Sequence, residues 1–139
     1  MIVLDTNVIS EPLKPRADAG VIRWLDSQDP ETLYLTATVL SEVLIGLALL
    51  PAGKRKRGME VELQSLLAKL FAGRFLSFDR EAAIAFALLG SRAAARGYSI
   101  SVADCQIAAI AAVHGFAVST RDTAPFLAAG VPVINPWAS

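Results

Sequence analysis

Residues 1–11 read MIVLDTNVISE. Ile2, Val3 and Leu4 form a short apolar run that ends on an acid, Asp5. Thr6 and Asn7 follow, and apolar residues then resume at helical density. A short apolar run bounded by polar residues reads as a buried strand. A buried strand ending on a carboxylate needs a reason, because an unpaired buried charge is costly. The rest of the chain supplies both the fold that holds this strand and the company that Asp5 keeps.

Further strands are expected in TLYLTA (32–37), RFLSF (74–78), FAVST (116–120) and VPVI (131–134). Between them, helices are expected in VIRWLDS (21–27) and TVLSEVLIGLALL (38–50), the latter ended by Pro51 and Gly53. VELQSLLAKLF (61–71) places Val61, Leu63, Leu66, Leu67 and Leu70 at helical spacing. An Ala-rich helix over 80–96 is stopped by Gly97, another over 102–114 by Gly115, and a short one spans 123–129. LKPRADAG (13–20) reads as a loop and GKRKRG (53–58) as a charged connector. Strands alternate with helices, and each strand is a continuous apolar run. That pattern indicates a parallel sheet covered on both faces. With no repeat or linker, residues 1–139 are expected to form one α/β domain.

Of the 139 residues, 54% are apolar, so a substantial core is available and disorder is not expected. Thirteen basic and thirteen acidic residues cancel, so any polyanion binding must be local rather than driven by net charge. A single cysteine excludes an intrachain disulfide and suits a reducing compartment. The N-terminus lacks the basic and long apolar regions of a signal peptide. No stretch offers the ~20 apolar residues that span a bilayer. A soluble, cytoplasmic chain with no membrane partner is expected.

Acids recur where a parallel sheet gathers its ligands, beyond the carboxyl ends of the strands. Asp5, Asp79 and Asp122 follow the first, third and fourth strands. Glu42 lies one turn into the helix after the second strand, and Asp104 starts the helix leading to the fourth. Each has a structural alternative. Asp5, Asp79 and Asp122 can cap helices, Ser101 and Asp104 have capping-box spacing, and Glu42 can favour a helix dipole. The conjunction weakens those alternatives. Glu42 is flanked by Leu40, Val43, Leu44 and Ile45, and Asp104 by Val102, Ala103 and Ile107. No Lys or Arg lies within six residues of Asp5 or Glu42. Clustered carboxylates repel unless a cation joins them, and oxygen ligands without sulfur point to Mg²⁺ or Mn²⁺. Such ions usually keep waters, which are potential nucleophiles.

With these motifs in place, the chain resembles a PIN-domain ribonuclease, specifically the VapC/FitB-like toxin branch of type II toxin–antitoxin systems. The resemblance runs through MIVLDTNVISEPLKP, SEVLIGLALLPAGKRK, ISVADCQIAAIAAVHG and VSTRDTAPFLAAGVPVINPW, and so covers essentially the whole chain. It implies a three-layer α/β/α PIN domain with a five-stranded parallel sheet in the order 3-2-1-4-5. In that order Asp79 ends an edge strand two strands from Asp5, which favours capping for Asp79. Asp5, Glu42, Asp104 and Asp122 would converge near the centre as the catalytic, metal-binding acids. The first three would hold one Mg²⁺, with Asp122 assisting a second or acting through water. Many relatives carry Asn at the position of Asp122, which makes it the most variable of the four. Thr6, Asn7, Thr120 and Arg121 would support the acids or touch substrate. The activity implied is hydrolysis of RNA phosphodiesters by a metal-activated water, leaving a 5′-phosphate and a 3′-hydroxyl. Implied partners are RNA, a cognate antitoxin and a second copy of the chain in a homodimer.

Lys54 to Arg57 can track RNA phosphates or simply be solvated. His114 ends a helix, where an imidazole serves as a C-terminal partner. Cys105 beside Asp104 is a poor ligand for a hard cation and reads as packing. Trp24, Leu25, Leu66, Leu70 and Phe71 read as core. A haloacid-dehalogenase-type phosphatase would need an acid where Asn7 stands and a Lys after Lys69, and neither is present. A phospho-acceptor receiver domain on Asp79 lacks the acidic pair after the first strand and the Lys near the fifth. A degenerate member that only binds RNA or a partner fits less well with all four acids present.

Overall fold

A computed structural model describes residues 1–138. Ser139, which the sequence reading counts in the same domain, lies outside the described residues. Five strands make one sheet: β1 (Ile2–Leu4), β2 (Leu33–Thr36), β3 (Phe75–Leu76), β4 (Ala117–Ser119) and β5 (Val133–Ile134). Every neighbouring pair is parallel, in the order β3-β2-β1-β4-β5. The helices are α1 (Thr6–Ser10), α2 (Ala19–Ser27), α3 (Ala37–Ala48), α4 (Lys54–Leu70), α5 (Arg80–Ala95), α6 (Val102–His114) and α7 (Ala124–Ala129). They cover both faces of the sheet in a three-layer α/β/α arrangement.

The strands are apolar on both faces because both faces are covered. Val3, Leu4, Leu33, Leu35 and Val118 are all buried. Alanine and cysteine dominate the buried stretch Cys105 to Ala111 on α6, where small side chains allow close approach of α5. Cys105 Sγ donates to the Phe86 carbonyl of α5 at 3.5 Å, and burial pushes its thiol pKa up. It is a packing residue. Gly97 and Gly115, both at positive φ, follow the last residues of α5 and α6, where a left-handed turn releases the chain.

The chain passes from β1 outward through β2 to β3, then returns to the other side of β1 for β4 and β5. Strand order therefore reverses between β1 and β4, which makes their carboxyl ends the expected ligand position. Leu4 pairs with Ser119 there, and the Asp5 N–H donates to the Ser119 carbonyl at 2.9 Å. The residues immediately beyond, Asp5 and Thr120, are thereby side by side.

Three local readings change. GKRKRG is not a connector: Gly53 is the N-cap and Lys54 opens α4, so the basic run forms the first turn of a seventeen-residue helix. Its helical register continues into Met59, Leu63 and Leu66, which pack on the core and carry the charged turn with them. The third strand shrinks from RFLSF to Phe75–Leu76, because Ser77 and Phe78 turn away so that Asp79 can cap α5. Thr6–Ser10 and Glu11–Leu13 form a short α-helix and a 3₁₀ turn directly after β1, and the loop over 13–20 is cut short where Ala19 opens α2.

Candidate functional site

Asp5 is 5% exposed, although it carries a carboxylate. It sits in extended backbone at the N-cap of α1, where Oδ1 accepts from the Thr6 N–H at 2.8 Å. Its other oxygen, Oδ2, accepts from Thr120 Oγ1 at 2.8 Å and from Asn7 Nδ2 at 3.4 Å. Thr120 is fully buried, and its hydroxyl is saturated: besides donating to Asp5 it accepts from the Asp122 N–H at 3.0 Å and Asn7 Nδ2 at 3.3 Å. Asn7 Oδ1 in turn accepts from the Arg121 N–H at 3.1 Å. This lattice ties the end of β1 to the end of β4 across the reversal.

Glu42 is half-buried on α3 and accepts from Thr6 Oγ1 at 2.8 Å. Thr36, fully buried at the end of β2, caps this helix by accepting from the Val39 N–H at 3.0 Å. Asp104, also half-buried, lies in the first turn of α6, where Ser101 Oγ accepts its N–H at 3.1 Å. Ser101 therefore caps the helix, and the Asp104 carboxylate is left to the cluster. Thr38 Oγ1 donates to Gln106 Oε1 at 3.0 Å, a strut that joins the Glu42 helix to the Asp104 helix. The two are 68 residues apart in sequence, and no local pattern links them. Asp122 is exposed and caps nothing, since the N-cap of α7 is Thr123 without a side-chain bond. Asp79 does cap, accepting from the Ala82 N–H at 2.9 Å, and stays at the sheet edge. His114 ends α6 with its ring 5.4 Å from that of Phe116.

The four acids share one field. Burial pushes the Asp5 pKa above its ordinary 3.8, and the negative charges of Asp104 and Glu42 add to the rise. The hydrogen bonds from Thr120 and Thr6 pull it partly back. Asp104 is likewise raised, first by burial and then by Asp122 and Glu42, against the lowering effect of Ser101. None of the four pairs with a base: among the described residues the one ion pair joins Lys14 to the buried Glu11. Arg121 lies beside Asp122 in sequence, but its guanidinium stacks over Trp137, 5.3 Å from the ring centroid.

Such a set of hard oxygens without a counter-charge suits a divalent cation. Among the described residues no three of these side chains already close on one point as a metal cage.

A family model described as the PIN domain matches residues 2–131. The chain is 50% identical over 137 residues to "VapC ribonuclease Y4jK" of Sinorhizobium fredii, covering 99% of this chain and 98% of the relative. It is 47% identical over 137 residues to "Toxin FitB" of Neisseria gonorrhoeae, covering 99% of each. The crystal structure of FitAcB from the same species superimposes with a TM-score of 0.94 at 47% identity, over 100% of both chains. The acids at the switch point, the strand order and these likenesses agree: the chain belongs to the PIN-domain family, on the branch of the VapC and FitB toxins.

Proposed function

We propose that the chain is a divalent-cation-dependent endoribonuclease and the toxin of a toxin–antitoxin pair. The observation that carries this reading is the shared field of Asp5, Glu42, Asp104 and Asp122, four carboxylates with no base to neutralise them. The naming of its relatives as a ribonuclease and a toxin supports it. Asp5, Glu42 and Asp104 are the candidate holders of Mg²⁺ or Mn²⁺, with Asp122 reaching the ion directly or through water. A bound divalent ion supplies charge against the phosphate and lowers the pKa of water.

The protein's own residues prepare that site. β1 is a buried post that fixes Asp5, and Thr120 and Asn7 hold its Oδ2 in one orientation. Thr6 does the same for Glu42. Arg121, exposed and held against Trp137, offers a phosphate a cation beside the acids.

Purified chain freed of any antitoxin should cut RNA with Mg²⁺ or Mn²⁺ and stop with EDTA. Asp5→Asn and Glu42→Gln should each lower the rate beyond the roughly 10–100-fold typical of losing a supporting residue. Wild-type rates in both variants would refute the site. A catalytically weak domain that acts by binding RNA or its antitoxin is the second reading, and the toxin–antitoxin complexes among its solved relatives favour it. Metal-independent binding without cleavage would select it.

The family match over residues 2–131 supports reading 1–139 as a single domain. Solved relatives include FitAB bound to DNA, which supports an antitoxin partner and a higher-order complex here. Exposed apolar residues such as Leu44 and Ile45 on α3, Leu49 just after it, and Ile84 and Leu88 on α5 offer surface for an antitoxin and a homodimer to cover. Among the described residues no helix is long and apolar enough to cross a membrane. The toxin reading places its action on RNA in the cytoplasm.

A further inference from the structure

We infer that the cleft between the Glu11–Leu13 turn and the first turn of α4 is the path by which the RNA backbone reaches the acids. The inference rests on the ribonuclease reading and adds the place where substrate is held. The cleft has a volume of about 670 Å³ and is open to solvent. Lys14, Lys54 and Arg55 line it, against a single acid on its wall, Glu62. A second cavity of about 300 Å³ shares Leu13, Lys14 and Met59 with it and is also lined by Thr6 and Glu42, among the apolar Val43, Leu47 and Leu50. The two hollows therefore adjoin, and the second includes Glu42 of the candidate cation site.

Of the three lining charges, Lys14 is already paired with Glu11 at 3.0 Å, and the other two have no internal partner among the described residues. Lys54 and Arg55 are exposed and make no hydrogen bond or ion pair among the described residues. Their neighbour Lys56 differs, donating to the Ala48 carbonyl at the end of α3 at 3.1 Å. The position is also unfavourable. Four bases occupy the first turn of α4, where the helix dipole is positive, with no acid in that turn and no side-chain cap. A local rule broken without an internal compensation marks a position kept for function. A polyanion compensates it. A single-stranded RNA backbone carries the charge density that the unpaired Lys54 and Arg55, with Lys14 beside them, recognise, whereas neutral or basic partners gain nothing there.

The test is binding rather than cleavage, so that its outcome is separable from that of the nuclease reading. Affinity for a fluorescent twelve-nucleotide RNA and for a trinucleotide is measured across salt concentrations, with Ca²⁺ replacing Mg²⁺. In the Lys54→Ala/Arg55→Ala variant the slope of log affinity against log salt should fall by about 1.4, two contacts at ~0.7 each for a single strand. At 0.1 M salt that corresponds to about 25-fold weaker binding of the longer RNA. The preference for the twelve-mer over the trinucleotide should shrink with it. Lys69→Ala is the charge control, ~22 Å away along α4 at 1.5 Å per residue, and should leave the slope as in wild type. An unchanged slope in the double variant overturns the inference even if the chain cleaves RNA. So does an equal loss in Lys69→Ala, or loss of binding to an acidic peptide partner with RNA affinity intact. Loss of slope with no cleavage by wild type would sustain the cleft while removing the nuclease reading.

Discussion

Asp5 is held between opposing effects: burial and the charges of Asp104 and Glu42 raise its pKa, and the Thr120 and Thr6 hydrogen bonds lower it. The net direction is upward, so the folded state binds a proton more tightly than the unfolded one. Stability from this group is fully present below the ordinary value of 3.8 and is lost as pH rises through the raised pKa. Asp104 acts in the same sense. In EDTA, the urea midpoint of Asp5→Asn should therefore gain on that of wild type as pH rises from 4 to 7, and Mg²⁺ should reverse the gain. A midpoint for Asp5→Asn that falls relative to wild type as pH rises is the opposite outcome and rules this out. Thr120→Val keeps the shape and removes the hydroxyl that orients Asp5 Oδ2. It should lower RNA cleavage about 10–100-fold, the usual cost of losing a residue that orients a ligand. Activity within twofold of wild type would remove Thr120 from the site. Asp5 and Glu42 stand out as candidates in the sequence because no base lies near them, and Glu42 and Asp104 because their flanks are dry, all of which are local facts. The hub at Thr120 is less so, since its partner Asp5 is 115 residues away, and the Thr38–Gln106 strut carries no local signal at all.

The helix starts and stops were legible wherever glycine or a capping side chain marks them, as at Gly97, Gly115, Ser101 and Asp79. The first turn of α4 was not. Its bases run against the helix dipole, so local charge reads as a connector, and tertiary packing of Leu63 and Leu70 overrides it. The short α1 was only half legible: helical density after Asn7 and a capping Asp5 signal it, but five residues show too little periodicity to give its bounds. Reversing the charges on α4 makes the cost measurable. Lys54→Glu/Arg55→Glu should stabilise the helix by about 0.3–1 kcal/mol per residue through the dipole, read as a higher urea midpoint, while weakening RNA binding. A lower midpoint would show that those bases have a structural partner after all.

Strand order decides what the whole molecule can do. Continuous apolar runs announce a parallel sheet, but they do not say which strands are neighbours. The order β3-β2-β1-β4-β5, implied by family resemblance, is the order observed. It carries Asp79 to the edge and sets Asp5 beside Thr120, with α3 and α6 bringing Glu42 and Asp104 into the same field. Length, charge balance and cysteine content do not encode that convergence, which arises from pairing across more than a hundred residues. If these acids share a divalent cation, anomalous diffraction from a crystal soaked in Mn²⁺ gives a strong peak among Asp5, Glu42, Asp104 and Asp122, and Asp5→Asn loses it. No peak there at saturating Mn²⁺, or a peak elsewhere alone, means that they do not.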